Sequence, residues 1–245
     1  MTNIAAAASL DGTSGDLLIL PVYAERSWGP GAAEVASELG EWLDEYLDGL
    51  DFSGKVGQTA AVPGKGAYGR VLFVGLGDDA DVDTLRKAAG IAGRAAMRYE
   101  KVATTLNRVD IYGASEAVVY GFLLGQYTFD KYLSKPKPTE TTELLLIGDV
   151  DDTDIDHGSK VAAGVALARD LINEPAGGKK PEVLAGIASG IAEETGIEIT
   201  IYDEDEIEAE GFGGLLAVSL GATNPPRMVV LKYRPDGAEK SLALV

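Results

Sequence analysis

Apolar positions in the first 150 residues alternate between continuous runs and helical spacing. The runs predict buried strands, because a strand covered on both faces of a sheet carries few polar residues. They are Asp16–Tyr23, Arg70–Leu76, Lys101–Leu106 and Glu143–Ile147. Helical spacing predicts one helix carrying Val35 to Leu50, one over Asp83–Tyr99 with a small-residue face, and a buried one over Ala114–Tyr132. This alternation predicts a mainly parallel α/β sheet covered by helices, with a proline-broken loop at Lys135–Pro138.

The pattern restarts after the acidic segment Asp149–Asp156. A long helix is predicted from there to about Ile172, ending at Asn173-Glu174-Pro175 because proline cannot continue a helix. Pro181 opens another helix, with Leu184, Ile187, Ala188 and Ile191 predicted to face inward. We therefore divide the chain into an α/β domain over 1–150, an interdomain helix over 151–173, and the opening segment of a second α/β domain over 174–245.

That second segment continues with a strand, a short acidic helix and three strand-like runs. The strand is Ile197–Tyr202, and Asp203 caps the acidic helix with Glu206 three residues on and Gly211 as its stop. The three runs are Leu215–Leu220, Arg227–Tyr233 and Ser241–Val245. Glycine, proline and Asp236-Gly237 turn signals separate them, which is typical of short strands.

Two glycine patterns resemble phosphate-binding loops. Gly75-x-Gly77-x-x-Ala80 follows a strand and precedes a helix, as in a dinucleotide-binding fingerprint. Four aspartates, at 78, 79, 81 and 83, crowd the helix start, where a pyrophosphate needs positive potential. We therefore predict a structural turn there in preference to an NAD site, and a simple loop at Gly64-x-Gly66-x-x-Gly69.

Neither calcium nor zinc is predicted at the acidic segment. Asp152, Asp154 and Asp156 begin like a calcium loop, but His157 and Ala163 stand where glycine and a bidentate glutamate are required. His157 is also the only histidine, and the chain has no cysteine, so the usual zinc ligands are missing. We predict that the segment caps the following helix, with Thr153 and Asp156 spaced as a capping pair.

The formal charge of −18 bears on partners and location. It disfavours nucleic-acid phosphates and anionic membrane surfaces, which attract clustered lysine and arginine. The first residues lack a basic n-region, and apolar runs fall short of the ~20 residues that cross a bilayer. With no cysteine to form disulfides, the sequence predicts a soluble, cytoplasmic protein.

Several segments together resemble the leucyl aminopeptidase (cytosol aminopeptidase) family of metallopeptidases. In the N-terminal part they are Val74–Gly77 and Gly121–Lys137. Further along they are Ala168–Pro175, Pro181–Ala185, Gly213–Val218, Gly221–Arg227 and Val230–Tyr233. Lys179-Lys180 depart from the pattern, since the family has a threonine N-cap before Pro181, and lysine caps a helix poorly.

The resemblance implies a macro-domain-like N-terminal α/β sandwich, a linker helix and a catalytic α/β domain. It implies a hydrolase that releases N-terminal amino acids from peptides, works with two divalent ions (manganese or zinc), and assembles as a homohexamer. In such a site the paired ions activate a water molecule and stabilise the oxyanion.

The resemblance places the family's first metal ligand in a Gly-Lys-Gly turn just after the strand that Ser241–Val245 resembles. No catalytic, cofactor-binding or metal-binding residue is therefore carried onto this sequence, and the chain ending at Val245 is expected to bind no metal and to be inactive alone. The alternative hypothesis is a non-catalytic, macro-like module for binding or assembly.

Overall fold

A computed structural model describes residues 2–136 and 139–245. Lys137 and Pro138 of the predicted proline-broken loop therefore lie outside the described residues. The chain divides into two compact units, Met1–Asp170 (unit 1) and Leu171–Val245 (unit 2). The domain limits at 150 and 173 remain predictions.

Unit 1 is built on a six-stranded sheet. Its strands are β1 (Asn3–Ala7), β2 (Gly15–Tyr23), β3 (Thr59–Pro63), β4 (Tyr68–Gly77), β5 (Lys101–Thr104) and β6 (Glu143–Ile147). They lie in the order β1-β6-β5-β2-β4-β3, and every pair is parallel except β3 with β4. The predicted mainly parallel sheet is confirmed, whereas β1 had no counterpart among the predicted strands.

Helices cover both faces of this sheet. They are α1 (Ala32–Leu39), α2 (Trp42–Gly49), α3 (Val82–Ala96) and α4 (Ala114–Gly125). One core joins α3 and α4 to the face of the sheet that carries Leu17, Ile19 and Val74. A second core joins α1 and α2 to the opposite face, which carries Leu18 and Leu20. Because β2 contributes to both cores, its run of six buried residues reads as continuously apolar.

Helices α3 and α4 approach each other through glycines. A Cβ added to Gly93 would lie 2.3 Å from the carbonyl oxygen of Phe122, and one added to Gly121 would lie 2.3 Å from that of Arg86. Such distances leave no room for a methyl group. The small-residue face predicted for α3 therefore serves backbone contact with another helix as well as packing on the sheet.

Three helix limits differ from the predictions. The single helix expected over Val35 to Leu50 is two helices, because Gly40 adopts a φ of 97° that ends α1. Helix α3 ends at Ala96, not Tyr99. Helix α4 ends at Gly125, not Tyr132, where the buried side chain of Gln126 donates a 2.8 Å hydrogen bond to Thr141 Oγ1. That bond joins residues 15 positions apart, so helical periodicity cannot reveal it.

The long helix α5 (Asp152–Asn173) is confirmed as a helix, but its cap differs from the prediction. The carboxylate of Asp151 accepts a 2.9 Å hydrogen bond from the backbone N–H of Thr153, so Asp151 begins the helix instead of the pair Thr153 and Asp156. Of its residues only Gly158 and Ala162 are buried, and the predicted apolar residue Ile172 is 75% exposed.

Unit 2 contains α6 (Pro181–Thr195), β7 (Glu198–Tyr202), α7 (Glu204–Ala209), α8 (Gly213–Ser219) and β8 (Met228–Lys232). Strands β7 and β8 form an antiparallel pair. The buried face of α6 consists of Ala185, Ala188 and Ala192, so of the four residues predicted to face inward only Ala188 is buried. Leu184 is 39% exposed.

Two of the three predicted C-terminal strands are wrong. Leu215–Leu220 lies largely in helix α8, since a short apolar run has the same pattern in a buried strand and in a helix. Ser241–Val245 has no regular structure and is exposed, and among the described residues no strand pairs with it. The remaining run, Arg227–Tyr233, is confirmed as β8.

Within residues 2–136 and 139–245, none of the helices combines the length and the apolar content that crossing a bilayer requires.

Candidate functional site

Two of the family-like segments meet at Tyr127 in unit 1. The Tyr127 hydroxyl donates a 2.7 Å hydrogen bond to Asp170 Oδ1, and the Arg169 guanidinium lies 5.3 Å from the centre of the Tyr127 ring. Arg169 and Asp170 belong to the segment Ala168–Pro175, and Tyr127 belongs to Gly121–Lys137. These contacts fix the last turns of α5 against the chain that follows α4, through a hydrogen bond to a charged group and a cation–π contact.

The connection after α5 contains a short turn and a hydrogen bond back to the end of the helix. Residues Ala176–Gly178 form a 3-10 turn, and Lys179 Nζ donates a 3.3 Å hydrogen bond to the carbonyl oxygen of Ile172. Lys180 occupies the N-cap of α6 without a side-chain hydrogen bond to the helix. The weak cap predicted for this departure from the family pattern is therefore confirmed.

The acidic residues at the start of α7 serve its N-terminus. The Glu206 backbone N–H donates to Asp203 Oδ1, and the Asp203 backbone N–H donates to Glu206 Oε2, both at 3.0 Å. This reciprocal pair is the predicted capping box, with Gly211 following the helix at a φ of 78°. These carboxylates therefore have a structural role at a helix end.

The β7–β8 pair carries the family-like Lys232. Its Nζ lies 3.0 Å from Glu198 Oε1, and this hydrogen bond, with the lysine charge, lowers the pKa of Glu198 below its ordinary value. Tyr202 at the end of β7 contacts Phe212 edge-to-face, with ring centres 6.2 Å apart. Ile207 is fully buried near them, so this small cluster holds α7 against the strand pair.

Metal ligands do not converge anywhere in the described part of the chain. No group of three or more histidine, cysteine, aspartate or glutamate side chains is placed to hold a metal ion there. His157 is 63% exposed and its Nδ1 lies 3.0 Å from Glu116 Oε1. The donor set that two divalent ions require is therefore not formed by these residues.

The Gly75 pattern forms a tight connection between β4 and α3. A Cβ on Gly75 would lie 2.1 Å from the Lys55 carbonyl oxygen, and Gly77 has a φ of 75°, so both positions favour glycine for backbone reasons. A recess of about 360 Å³ lies beside this turn, lined by Glu25, Lys55 and Asp78 among others. The predicted turn between a strand and a helix is confirmed, and the absence of an NAD site there stays a prediction.

Asp81 caps α3 at the end of this turn. Its Oδ1 accepts a 2.8 Å hydrogen bond from the Thr84 backbone N–H, and this bond holds the pKa of Asp81 below its ordinary value of 3.8. Because the folded-state pKa is depressed, the stabilisation is complete above the unfolded-state value and disappears as the pH falls through the lower folded-state value.

Asp81→Asn tests this pH dependence, since asparagine caps helices well but does not titrate. We expect the stability advantage of the wild type over D81N, measured by urea unfolding, to be largest at pH 6 and to shrink as the pH falls below 3.8. Asp79→Asn, two positions earlier, is the control with the same loss of charge. An advantage that stays constant with pH would contradict the role of the Asp81 carboxylate.

The chain is thus a two-unit α/β protein whose family-like segments form a scaffold of helix ends, turns and one strand pair. The model of the cytosol aminopeptidase family N-terminal domain matches residues 19–136, and that of the cytosol aminopeptidase family catalytic domain matches residues 166–245. The chain belongs to the cytosol aminopeptidase family.

Curated relatives agree with this assignment. A probable cytosol aminopeptidase of Syntrophotalea carbinolica is 35% identical over 94% of this chain and 50% of its own length. One of Nocardia farcinica is 38% identical over 84% of this chain and 42% of its own length. The chain spans about half the length of the curated relatives it matches.

Solved structures have the same fold. A mutant of tomato leucine aminopeptidase superposes with a TM-score of 0.83 at 27% identity, covering 94% of this chain and 50% of that chain. The bottromycin maturation enzyme BotP in complex with Mn superposes with a TM-score of 0.76 at 27% identity, covering 90% of this chain and 46% of that chain. The α/β class predicted from the sequence, with the beginning of a catalytic domain, is confirmed.

Proposed function

We propose that this chain is the N-terminal portion of a metal-dependent leucyl aminopeptidase, which hydrolyses the first peptide bond of a peptide and releases the N-terminal amino acid. One observation carries the proposal: the family's N-terminal and catalytic models match in order over residues 19–136 and 166–245. The tomato structure, named a leucine aminopeptidase, supports the substrate class. The binding-module hypothesis gains no support, because the curated relatives are named as peptidases.

The metal ions of the complete enzyme do not fit the residues described here. BotP in complex with Mn supports manganese as one ion for the family, and zinc remains our alternative. Within the described ranges no three donor side chains converge, so we place the ligands in the portion of the relatives that this chain does not span. The residues of this chain then contribute no step to bond cleavage.

The contribution of this chain is the support for the catalytic domain. The contacts of Tyr127 with Arg169 and Asp170 hold the last turns of α5, and the Glu198–Lys232 pair holds the register of β7 and β8. The first of these contacts lies within unit 1 and joins the chain after α4 to α5, so Tyr127→Phe removes the hydrogen bond to Asp170 while it keeps the packing of the ring.

We also propose a cytoplasmic location and a homohexameric assembly for the complete enzyme. The names of the relatives, cytosol aminopeptidases, support a cytoplasmic protein, as does a chain without cysteine. A homohexamer rests on the family resemblance alone, and sedimentation velocity of the complete enzyme measures it.

Hydrolysis of leucine p-nitroanilide with added Mn²⁺ or Zn²⁺ tests the function. We expect no turnover by the 245-residue chain alone. We expect turnover when residues 1–245 are fused to the remaining half of the Syntrophotalea carbinolica relative, which is 35% identical to this chain. The intact relative is the positive control.

Two results would contradict the proposal. Metal-dependent turnover by the 245-residue chain would show that its own residues form an active site. A fused protein that folds cooperatively, binds Mn²⁺ and still leaves every aminoacyl p-nitroanilide intact would rule out the aminopeptidase function.

A further inference from the structure

The sheet of unit 1 has two edges, and they are protected very differently. At the β3 edge, Tyr46 Oη donates a 3.3 Å hydrogen bond to the carbonyl oxygen of Ala61, and the strand ends at Pro63, which has no N–H to offer. Covering groups and proline are the usual means by which proteins prevent an edge strand from pairing with another chain. The β3 edge is therefore closed to a further strand.

The β1 edge carries none of these protections. Its five residues, Asn3 to Ala7, include no proline and no charge, and they pair with β6 in continuous register without a bulge. Asn3 donates to the Thr142 carbonyl and Ala7 accepts from the Gly148 N–H, so alternate residues from Asn3 face β6. The backbone groups of Ile4 and Ala6 therefore point away from the sheet, where they meet no backbone partner among the described residues.

An open groove runs along this edge. It has a volume of about 550 Å³ and is bounded on one side by Thr2 to Ala6 and on the other by one face of α5. That face presents Asp152, Ile155, Asp156 and Ser159. Ile4 and Ile155 pack against the same core, so α5 lies on the Ile4 face of the sheet beside the free edge. A strand added to β1 would alternate its side chains between this helix and the opposite face.

The charges beside the groove indicate what the added strand carries. Both ionisable residues that line it, Asp152 and Asp156, are acidic, and Asp156 Oδ2 also lies 2.6 Å from the exposed Lys160 Nζ. A second copy of this chain fits poorly, since antiparallel pairing of two β1 edges places both copies of α5 on the same face with their aspartates opposed. We propose that the β1 edge and α5 bind an extended basic peptide segment, which adds to the sheet as a seventh strand.

The test uses the intact chain and three labelled peptides of alternating residues: lysine with valine, glutamate with valine, and the lysine peptide with alternate backbone nitrogens methylated. Fluorescence anisotropy measures their binding. Of the three peptides, we expect only the unmethylated lysine peptide to bind saturably. Its affinity should fall as the salt concentration is raised, because the ion pairs are exposed. Loss of binding on N-methylation of the peptide would show that its backbone hydrogen bonds are required. This comparison leaves the protein unchanged.

Two protein variants locate the site. Asp152→Asn with Asp156→Asn is expected to raise the Kd of the lysine peptide about fivefold, since exposed ion pairs contribute little each. Asp154→Asn, on the same helix but outside the groove lining, is the matched control. Ala6→Pro removes an outward N–H and is expected to abolish binding while circular dichroism remains that of the wild type.

Three results would overturn the proposal. The first is equal binding of the glutamate and lysine peptides. The second is no saturation by the lysine peptide below about 1 mM, the weak limit for a specific peptide site. The third is dimerisation of the Asp152→Asn, Asp156→Asn double variant in sedimentation velocity, which would identify a second copy of the chain as the occupant.

Discussion

Gly93→Ala in α3 is expected to destabilise unit 1 by about 3 kcal/mol, at the upper end of the range for overpacking. The new Cβ would lie 2.3 Å from the Phe122 carbonyl oxygen and 3.1 Å from the Phe122 Cα. Both obstacles are backbone atoms of α4, so no side chain can rotate away. The two helices must separate, and the buried contacts of Leu85, Ala89 and Phe122 are lost with them. Chemical denaturation followed by far-UV circular dichroism measures the change.

Gly164→Ala in α5 is the matched control. Gly164 is exposed in the middle of a long helix, and a Cβ there meets nothing within 4 Å. Alanine is favoured over glycine in such a position by about 0.5–1 kcal/mol, so the same substitution should stabilise the protein. If both variants lost stability equally, close contact between α3 and α4 would not be the cause.

Amide hydrogen exchange is expected to be at least about a hundredfold faster in β8 than in β4 after correction for intrinsic rates. Strand β4 lies between two neighbours and has seven consecutive buried residues, whereas β8 has one partner and no buried residue. Among the described residues the buried apolar side chains of unit 2 are only Ala185, Ala188, Ala192, Ile207 and Pro226. So small a core offsets little of the conformational entropy that folding removes.

The exposed apolar side chains support the same expectation. Within residues 2–136 and 139–245, eight large apolar residues are exposed by more than 70%, and seven of them lie in unit 2: Ile172, Val218, Leu220, Tyr233, Leu242, Leu244 and Val245. The comparison is the 245-residue chain fused to the remaining half of the Syntrophotalea carbinolica relative. Burial of these apolar residues by the added half should slow amide exchange in β8 and leave the exchange rates in β4 unchanged. Equal protection of β4 and β8 in the 245-residue chain would contradict the difference in local stability.

Strong local patterns were sufficient to predict much of the fold. Strand Glu143–Ile147, the start of helix α6 at Pro181 and the capping box of Asp203 and Glu206 were found with their observed limits or partners. Each depends on contacts within a few residues: a continuous apolar run, a proline at the first helical position, or a reciprocal side-chain cap. The family segments were likewise recognisable, because they are contiguous in sequence.

The errors arose where a distant contact decides the structure. The residues of β1 are mostly alanine and read as neither strand nor helix, and they become a strand only by pairing with β6. Gln126 ends α4 by reaching Thr141, and Tyr127 holds Asp170 across 43 positions. At Leu215–Leu220 the apolar run alone could not distinguish a helix from a strand. The contacts of Tyr127 with the end of α5 had no sequence signal that periodicity could detect.

The pairing of β1 with β6 also determines the order in which the molecule can form during synthesis. Asn3 is aligned with Glu143, so the first strand has no partner until some 140 further residues have been translated. At the usual rates of roughly 5–20 residues per second, the nascent chain carries this uncharged strand unpaired for about seven to thirty seconds. Meanwhile β3 and β4 can pair at once, since they are neighbours in sequence. The strand at the least protected edge of the finished sheet thus waits longest for its partner during synthesis.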